Sequence, residues 1–306
     1  MGKIAFVFSG QGAQYSGMGK SFYDMGGKIK ELYDYSESIR PGTMAQSFEG
    51  SDEELKQTKN TQPCLYLTEI AGTMLLNKNG IFADGVAGFS LGEIAALAYA
   101  KAYSYEDGFK IVTKRGLLMN DASTEFDTTM YAVLKLDADV VDKTAKEFEK
   151  LYAVNFNCPG QTVVSGLKSS FEGFEEKVKE LGGRMLPLSV SAAFHSPFMA
   201  DAADKFYNEL KNFDIKMPEI DVYANLTAQK YASDVCETLK NQMQSPVKWH
   251  ETIENMIKDG YTDFIEVGAG KTLCGLIKKI SKDVNVYSVS DTDTLNETLE
   301  AMKNNA

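Results

Sequence analysis

Val86-Ala87-Gly88-Phe89-Ser90-Leu91-Gly92-Glu93-Ile94-Ala95-Ala96-Leu97-Ala98-Tyr99-Ala100 is the stretch on which the reading of this chain turns. Gly88-Phe89-Ser90-Leu91-Gly92 fits the Gly-x-Ser-x-Gly pattern of a nucleophile elbow, a sharp turn from a strand into a helix. Glycines on both sides of Ser90 let the backbone bend tightly and let the strand pack closely on the helix. Ser90 then stands at a helix N-terminus, where unpaired N–H groups and the helix dipole favour negative charge. The N–H of Leu91 becomes one donor of an oxyanion hole. Ser90-Leu91-Gly92-Glu93 also reads as a Ser-x-x-Glu capping box, whose only task is to start a helix. The pentapeptide alone leaves both readings open.

Upstream, Ile4–Ser9 reads as a short apolar strand running into Gly10-Gln11-Gly12-Ala13-Gln14. This loop lacks the Gly-Lys-Ser/Thr of a P-loop and the third glycine of a dinucleotide fingerprint, so a nucleotide role is weak. It suits a tight loop that presents a backbone N–H, locked by the amide of Gln11. Residues 17–39 read as helical and largely solvated. Thr61-Gln62-Pro63 begins the next element, with helical spacing over Cys64–Leu76. Gly80–Val86 leads into the elbow strand, and the alanine- and leucine-rich segment after Ser90 reads as a buried helix.

Downstream, Tyr105–Asp121 reads as a helix with Val112, Gly116 and Met119 on one face. Arg115 falls within about 60° of that face and Lys114 opposite it. Arg115 either leans inward or snorkels along the helix. Residues 130–190 change character: strand Tyr131–Leu136, helix Ala138–Leu151, strands Val154–Asn157 and Thr162–Ser165, helix Ser170–Leu181 and strand Arg184–Val190. That β-α-β-β-α-β order is ferredoxin-like. It reads as a small α+β domain over 126–190, inserted into a large α/β domain made of 1–125 and 191–306. Alternating strands and helices in the large part imply a mostly parallel sheet.

His195, one of two histidines, sits in a loop where the chain returns to the large domain. A loop histidine in a chain with a candidate serine nucleophile points to a Ser–His pair. His250, at a helix start, reads as a surface residue. Met199–Asn212 reads as a helix, Asp221–Ala224 as a strand ending at Asn225, and Gln242–Trp249 as a polar turn before a helix over 250–259. Thr262–Val267 is a last buried strand. Gly268-Ala269-Gly270-Lys271 after it suits either an anion at the following helix start or a plain tight connection. Leu295–Asn304 closes the chain as a short helix.

Composition sets bounds. A hydrophobic content of 43% is ample for a core in a 306-residue chain, enough for one large and one smaller domain. No apolar run approaches the roughly 20 residues of a membrane span, and the N-terminal apolar stretch is too short for a signal peptide. Cys64, Cys158, Cys236 and Cys274 have no metal-ligand spacing, so no metal is expected. Reduced cysteines without an export signal point to the cytoplasm. A net charge of −11 argues against nucleic acid.

Together these segments resemble the malonyl-CoA:acyl carrier protein transacylases, acyltransferases of fatty acid biosynthesis. The resemblance covers nearly the whole chain. It rests on Phe8–Gln14, Gly88–Glu93, Arg115-Gly116 with Met119, Asn155–Gln161, Ala193-Phe194-His195-Ser196, Ser245–Trp249 and Glu266-Val267-Gly268, in the family's order and spacing. It implies a hydrolase-like α/β domain with a ferredoxin-like insert. Ser90 matches the family nucleophile and His195 its base. Gln11 and Leu91 match the residues whose N–H groups form the oxyanion hole, and Arg115 the arginine that pairs with the substrate carboxylate. Gln242 matches a glutamine beside the catalytic pair, where backbone carbonyls orient the histidine in place of an acid. Asn157 matches an active-site asparagine.

The reaction so implied is ping-pong: malonyl moves from coenzyme A to Ser90, then to the phosphopantetheine thiol of acyl carrier protein. The enzyme itself is expected to hold no cofactor and to act as a monomer. Arg115 selects for malonyl by charge, and Phe194 resembles malonyl-selective members. Phe89 departs from the family's usual histidine, and Asn120 and Ala269 stand where glutamine and proline are common. An acidic enzyme serving an acidic carrier needs a local basic patch, for which Lys271, Lys278, Lys279 and Lys282 are candidates. The rival readings are a serine thioester hydrolase, an acyltransferase acting in trans in polyketide synthesis, and a non-catalytic binding protein.

Overall fold

Lys3–Phe8 forms β1, whose Ala5, Phe6, Val7 and Phe8 are all fully buried, as a strand covered on both faces must be. The computed structural model describes residues 2–188 and 192–304. Nine strands occur among them: β1, β2 (Gly85–Gly88), β3 (Thr128–Leu134), β4 (Leu151–Cys158), β5 (Gln161–Leu167), β6 (Arg184–Pro187), β7 (Asp221–Tyr223), β8 (Tyr261–Val267) and β9 (Asn285–Val289). Five of them form one sheet in the order β7-β2-β1-β8-β9, parallel at every pairing. The other four form an antiparallel sheet in the order β4-β5-β3-β6, with helices Ala138–Ala145 and Lys168–Glu180 between its strands. That is the ferredoxin-like arrangement on an α/β body. The boundary expected at 190 and 191, and the end of the strand expected through Val190, lie outside the described residues.

The two sheets are tied by backbone. Val247, in the large body, bridges Asn155 on β4: its N–H donates to Val154 O at 2.8 Å and its carbonyl accepts from Phe156 N at 2.9 Å. The edge of the small sheet is thereby covered.

Several elements differ from their sequence expectation for identifiable reasons. The element expected to begin at Thr61-Gln62-Pro63, with helical spacing over Cys64–Leu76, is a helix that begins at Thr58 and runs through Pro63 to Lys78. Pro63 cannot donate to the carbonyl of Lys59; the Arg40 guanidinium does so instead, at 3.3 Å. The single helix expected over 17–39 is two, Lys20–Tyr23 and Gly27–Ile39, broken where Gly26 takes φ 71°. The second is largely solvated, as expected, with Ile29, Leu32, Tyr33 and Ser36 as its buried stripe. The helix Val235–Met243 replaces part of the polar turn expected at Gln242. Its inner face includes Thr238 and Gln242 beside Leu239 and Met243, so polar residues interrupt the apolar period.

The Gly-rich turn after β8 connects to the helix Thr272–Ile280. Its helix start is taken by the chain's own anion: Glu266 Oε2 accepts from the Cys274 N–H at 2.8 Å. That corrects the external-anion reading. In the Gly10–Gln14 loop, the lock is Gln14 rather than Gln11, since Gln14 Oε1 accepts from Gly12 N at 2.7 Å.

Candidate active site

β2 delivers Ser90 between two glycines that nothing larger can replace. A Cβ on Gly88 would lie 1.9 Å from the backbone carbon of Gly92, and one on Gly92 would lie 2.4 Å from the carbonyl oxygen of Phe8. Ser90 itself adopts φ 56°, the left-handed region that non-glycine residues avoid. Its side chain does not cap the helix Gly92–Tyr99, whose N-cap is Leu91. Glu93 does not reach back to the Ser90 N–H either; Asn225 Oδ1 accepts that bond at 2.7 Å. The capping-box reading therefore fails at both ends.

Ser90 Oγ lies 2.7 Å from His195 Nε2, and His195 Nδ1 lies 2.9 Å from the carbonyl oxygen of Gln242. A carbonyl can only accept, so Nδ1 carries the proton and the Nε2 lone pair faces the serine hydroxyl. His195 also sits at positive φ, 59°. Burial, and then the Arg115 charge, push its pKa down from 6.5 to about 4, so the imidazole is neutral at pH 7.

The helix Tyr105–Ala122 buries Arg115 completely. Its guanidinium donates to Gln62 Oε1 at 2.8 Å, to Gln242 Oε1 at 2.9 Å and to Ser90 Oγ at 3.2 Å. Its Nε–H has no partner among the described residues. Burial lowers its pKa from 12.5 to about 10, opposed chiefly by the Glu93 charge, so it stays cationic. Among the described residues no carboxylate pairs directly with it. Gln242 stands between the charges, accepting from Arg115 and donating through Nε2 to Glu93 Oε2 at 3.2 Å and to Ser90 O at 2.8 Å.

A cavity of about 460 Å³ lies over Ser90, lined by Gln11, Leu91, Arg115, Asn155 and His195 among others. The N–H groups of Gln11 and Leu91 have no acceptor among the described residues. Asn157 is elsewhere: it lines a neighbouring cavity of about 200 Å³ with Gln161 and Leu276, and its buried Oδ1 has no partner among the described residues. Asn155, two residues earlier, lines both cavities. The Phe89 and Trp249 rings meet edge to face at 5.5 Å between centroids, an apolar contact at the elbow. His250, at a helix start, pairs with Glu254 at 3.2 Å, away from the cavity.

Sequence reasoning missed three partners. Gln62 was legible only as the residue before Pro63, Glu93 only as a helix starter, and Asn225 only as a strand end. Asn225 had the better signal, because ligands and catalytic groups gather beyond the carboxyl ends of parallel strands.

The arrangement pairs a serine hydroxyl with a neutral imidazole and sets a buried cation beside both. Residues 5–297 match the acyl transferase domain family. The chain is 40% identical over 311 residues to the malonyl CoA-acyl carrier protein transacylase of Bacillus subtilis, covering 99% of this chain and 98% of that one. A crystal structure of the transacylase of that name from Clostridium perfringens superposes with a TM-score of 0.95 at 37% identity, covering 99% of this chain and 98% of that one. A malonyl-transacylase solved with its type II PKS acyl-carrier protein gives 0.93 at 32% identity, covering 98% and 99%.

Proposed function

The chain belongs to the acyl transferase family, and from that premise we propose that it transfers a malonyl group from malonyl-CoA to acyl carrier protein for fatty acid biosynthesis. The observation that carries this reading is the fully buried Arg115 within 3.2 Å of Ser90 Oγ. A plain thioester hydrolase has no use for a buried cation at its nucleophile. A substrate with a free carboxylate does, since a guanidinium binds it through two parallel charge-assisted bonds.

In the first half-reaction Ser90 Oγ attacks the thioester carbonyl and its proton passes to His195 Nε2. The N–H groups of Gln11 and Leu91 receive the developing oxyanion. The C–S bond breaks, the imidazolium returns the proton to the leaving sulfur, and coenzyme A departs from a malonyl ester on Ser90. The phosphopantetheine thiol of the carrier then loses its proton to His195 and attacks that ester, and Ser90 leaves with the proton restored. The Gln242 carbonyl stabilises each transient imidazolium by accepting from Nδ1. Coenzyme A and phosphopantetheine enter as parts of substrates, with no resident cofactor.

On this reading the enzyme is a cytoplasmic monomer. Among the described residues no helix is long and apolar enough to cross a membrane. Labelled malonyl-CoA mixed with the enzyme and carrier protein tests the reading. Label should appear on carrier protein only when Ser90 is intact. Release of free malonate in its place identifies a hydrolase.

A further inference from the structure

Asn225 is fully buried and has no part in binding or in proton transfer, yet it makes the contacts that hold the elbow shut. Its Nδ2 donates to the Gly88 carbonyl at 2.6 Å and its Oδ1 accepts from the Ser90 N–H at 2.7 Å. One side chain therefore spans the residue before and the residue after Phe89. These are backbone groups that a regular strand or helix would pair internally, and the sharp turn orphans both. Asn225 is itself fixed at both ends of its own backbone: its N–H donates to Glu93 Oε2 at 2.9 Å and its carbonyl accepts from Lys248 N at 3.0 Å.

The same Glu93 oxygen also takes the Gln242 amide at 3.2 Å, and the carbonyl of Gln242 orients His195. Tyr231 donates its hydroxyl to the other Glu93 oxygen. Both halves of the Ser–His pair thus hang from one carboxylate, the serine through Asn225 and the histidine through Gln242.

We propose that Asn225, anchored on Glu93, is a positioning residue that holds Ser90 at positive φ and sets the register of its hydroxyl against His195. Without the amide, the bonds to the Ser90 carbonyl, from Gln242 Nε2 at 2.8 Å and Glu93 N at 3.2 Å, are left to oppose the strain at φ 56° without a hold on the Ser90 N–H, and the elbow relaxes toward ordinary backbone. The hydroxyl then moves off the Nε2 lone pair. A misplacement of about 1 Å at a reacting atom costs on the order of 10²-fold in rate.

The inference rests on Ser90 being the nucleophile, but not on malonyl being the acyl group. Its test is therefore the second-order rate at which a fluorophosphonate labels Ser90, read by intact mass, beside kcat and KM for malonyl-CoA. Asn225→Ala is expected to label about 10²-fold more slowly than the unaltered protein, with kcat falling in step and KM changing less than about twofold. Phe174→Leu, a core change in the helix Lys168–Glu180 within the separate hydrophobic cluster of the ferredoxin-like part, controls for lost stability and should label at the unaltered rate. If Asn225→Ala does not fold, Asn225→Asp keeps the acceptor for Ser90 N and loses the donor to Gly88. It is expected to label about tenfold more slowly, one lost hydrogen bond's worth of hold. Labelling within threefold of the unaltered rate by either folded variant overturns the proposal. Absence of a malonyl adduct on the unaltered protein would count against the transferase reading and leave the labelling comparison to decide on Asn225.

Discussion

Arg115 and Glu93 are opposite charges buried at one site and kept apart by a neutral amide. Burying an arginine without a direct counter-ion is costly, and a direct ion pair would have been the cheaper packing. In the proposed mechanism, keeping Gln242 between them leaves the guanidinium without a carboxylate of the protein's own, so that the substrate's can pair with it. Arg115→Lys retains charge but cannot reach Gln62, Gln242 and a carboxylate together. At about 1.5–3 kcal/mol per hydrogen bond to a charged group, kcat/KM for malonyl-CoA should fall at least tenfold. Steady-state kinetics with malonyl- and acetyl-CoA side by side check this, and selectivity should fall with rate. His195 gives a pH prediction. It must be neutral to accept the serine proton, and burial with the Arg115 charge sets its pKa at about 4. The acidic limb of kcat/KM, which reports free enzyme, should therefore lie well below the ordinary histidine value of 6.5. A carboxylate on Arg115 offsets one of the two causes, so the limb of kcat should lie higher than that of kcat/KM. Coincident limbs near 6.5 would refute this. Ser90, His195 and Arg115 could be singled out in the sequence because their chemistry is local to short motifs. Gln62, Glu93 and Asn225 could not, because their bonds run between segments far apart in the chain.

Among elements, the elbow depends on how closely β2 crosses the helix that follows it. Gly88→Ala and Gly92→Ala each force a methyl against backbone that cannot step aside. Each should cost about 3 kcal/mol, the upper range of overpacking, read as a drop in the denaturant midpoint. The helix Thr272–Ile280 offers a second case. Glu266→Ala leaves the half-buried Cys274 N–H without its acceptor and should cost about 1–3 kcal/mol, with Ser90 labelling unchanged. Strands and long helices were readable because burial sets their period, 2 or 3.6. The failures follow from the same rule. Val235–Met243 escaped notice because Gln242 occupies a core-facing position for the sake of the site. The early start of Thr58–Lys78 was hidden because Arg40, distant in sequence, supplies the hydrogen bond that Pro63 cannot.

For the whole molecule, the ferredoxin-like part and the parallel-sheet part meet over the cavity. Met130, Asn155 and Leu188 come from one and Ser90, Leu91 and Arg115 from the other. Lys279 Nζ donates at 3.4 Å to Gln161, a residue that lines the same cavity as Asn157. Reversing charge at Lys278 and Lys279 should lower kcat/KM for carrier protein by about tenfold at low salt, the loss shrinking as ionic strength rises. Ester formation from malonyl-CoA should be untouched. Equal slowing of both half-reactions would place the docking face elsewhere. The central claim, that Ser90 takes up malonyl under the direction of Arg115, is tested most directly by intact mass. Protein would be mixed with malonyl-CoA or acetyl-CoA, with Ser90→Ala as control. The account predicts a malonyl adduct on the unaltered protein only, discharged by added carrier protein, and little adduct from acetyl-CoA. Equal adducts from both thioesters, or an adduct that survives Ser90→Ala, would contradict it.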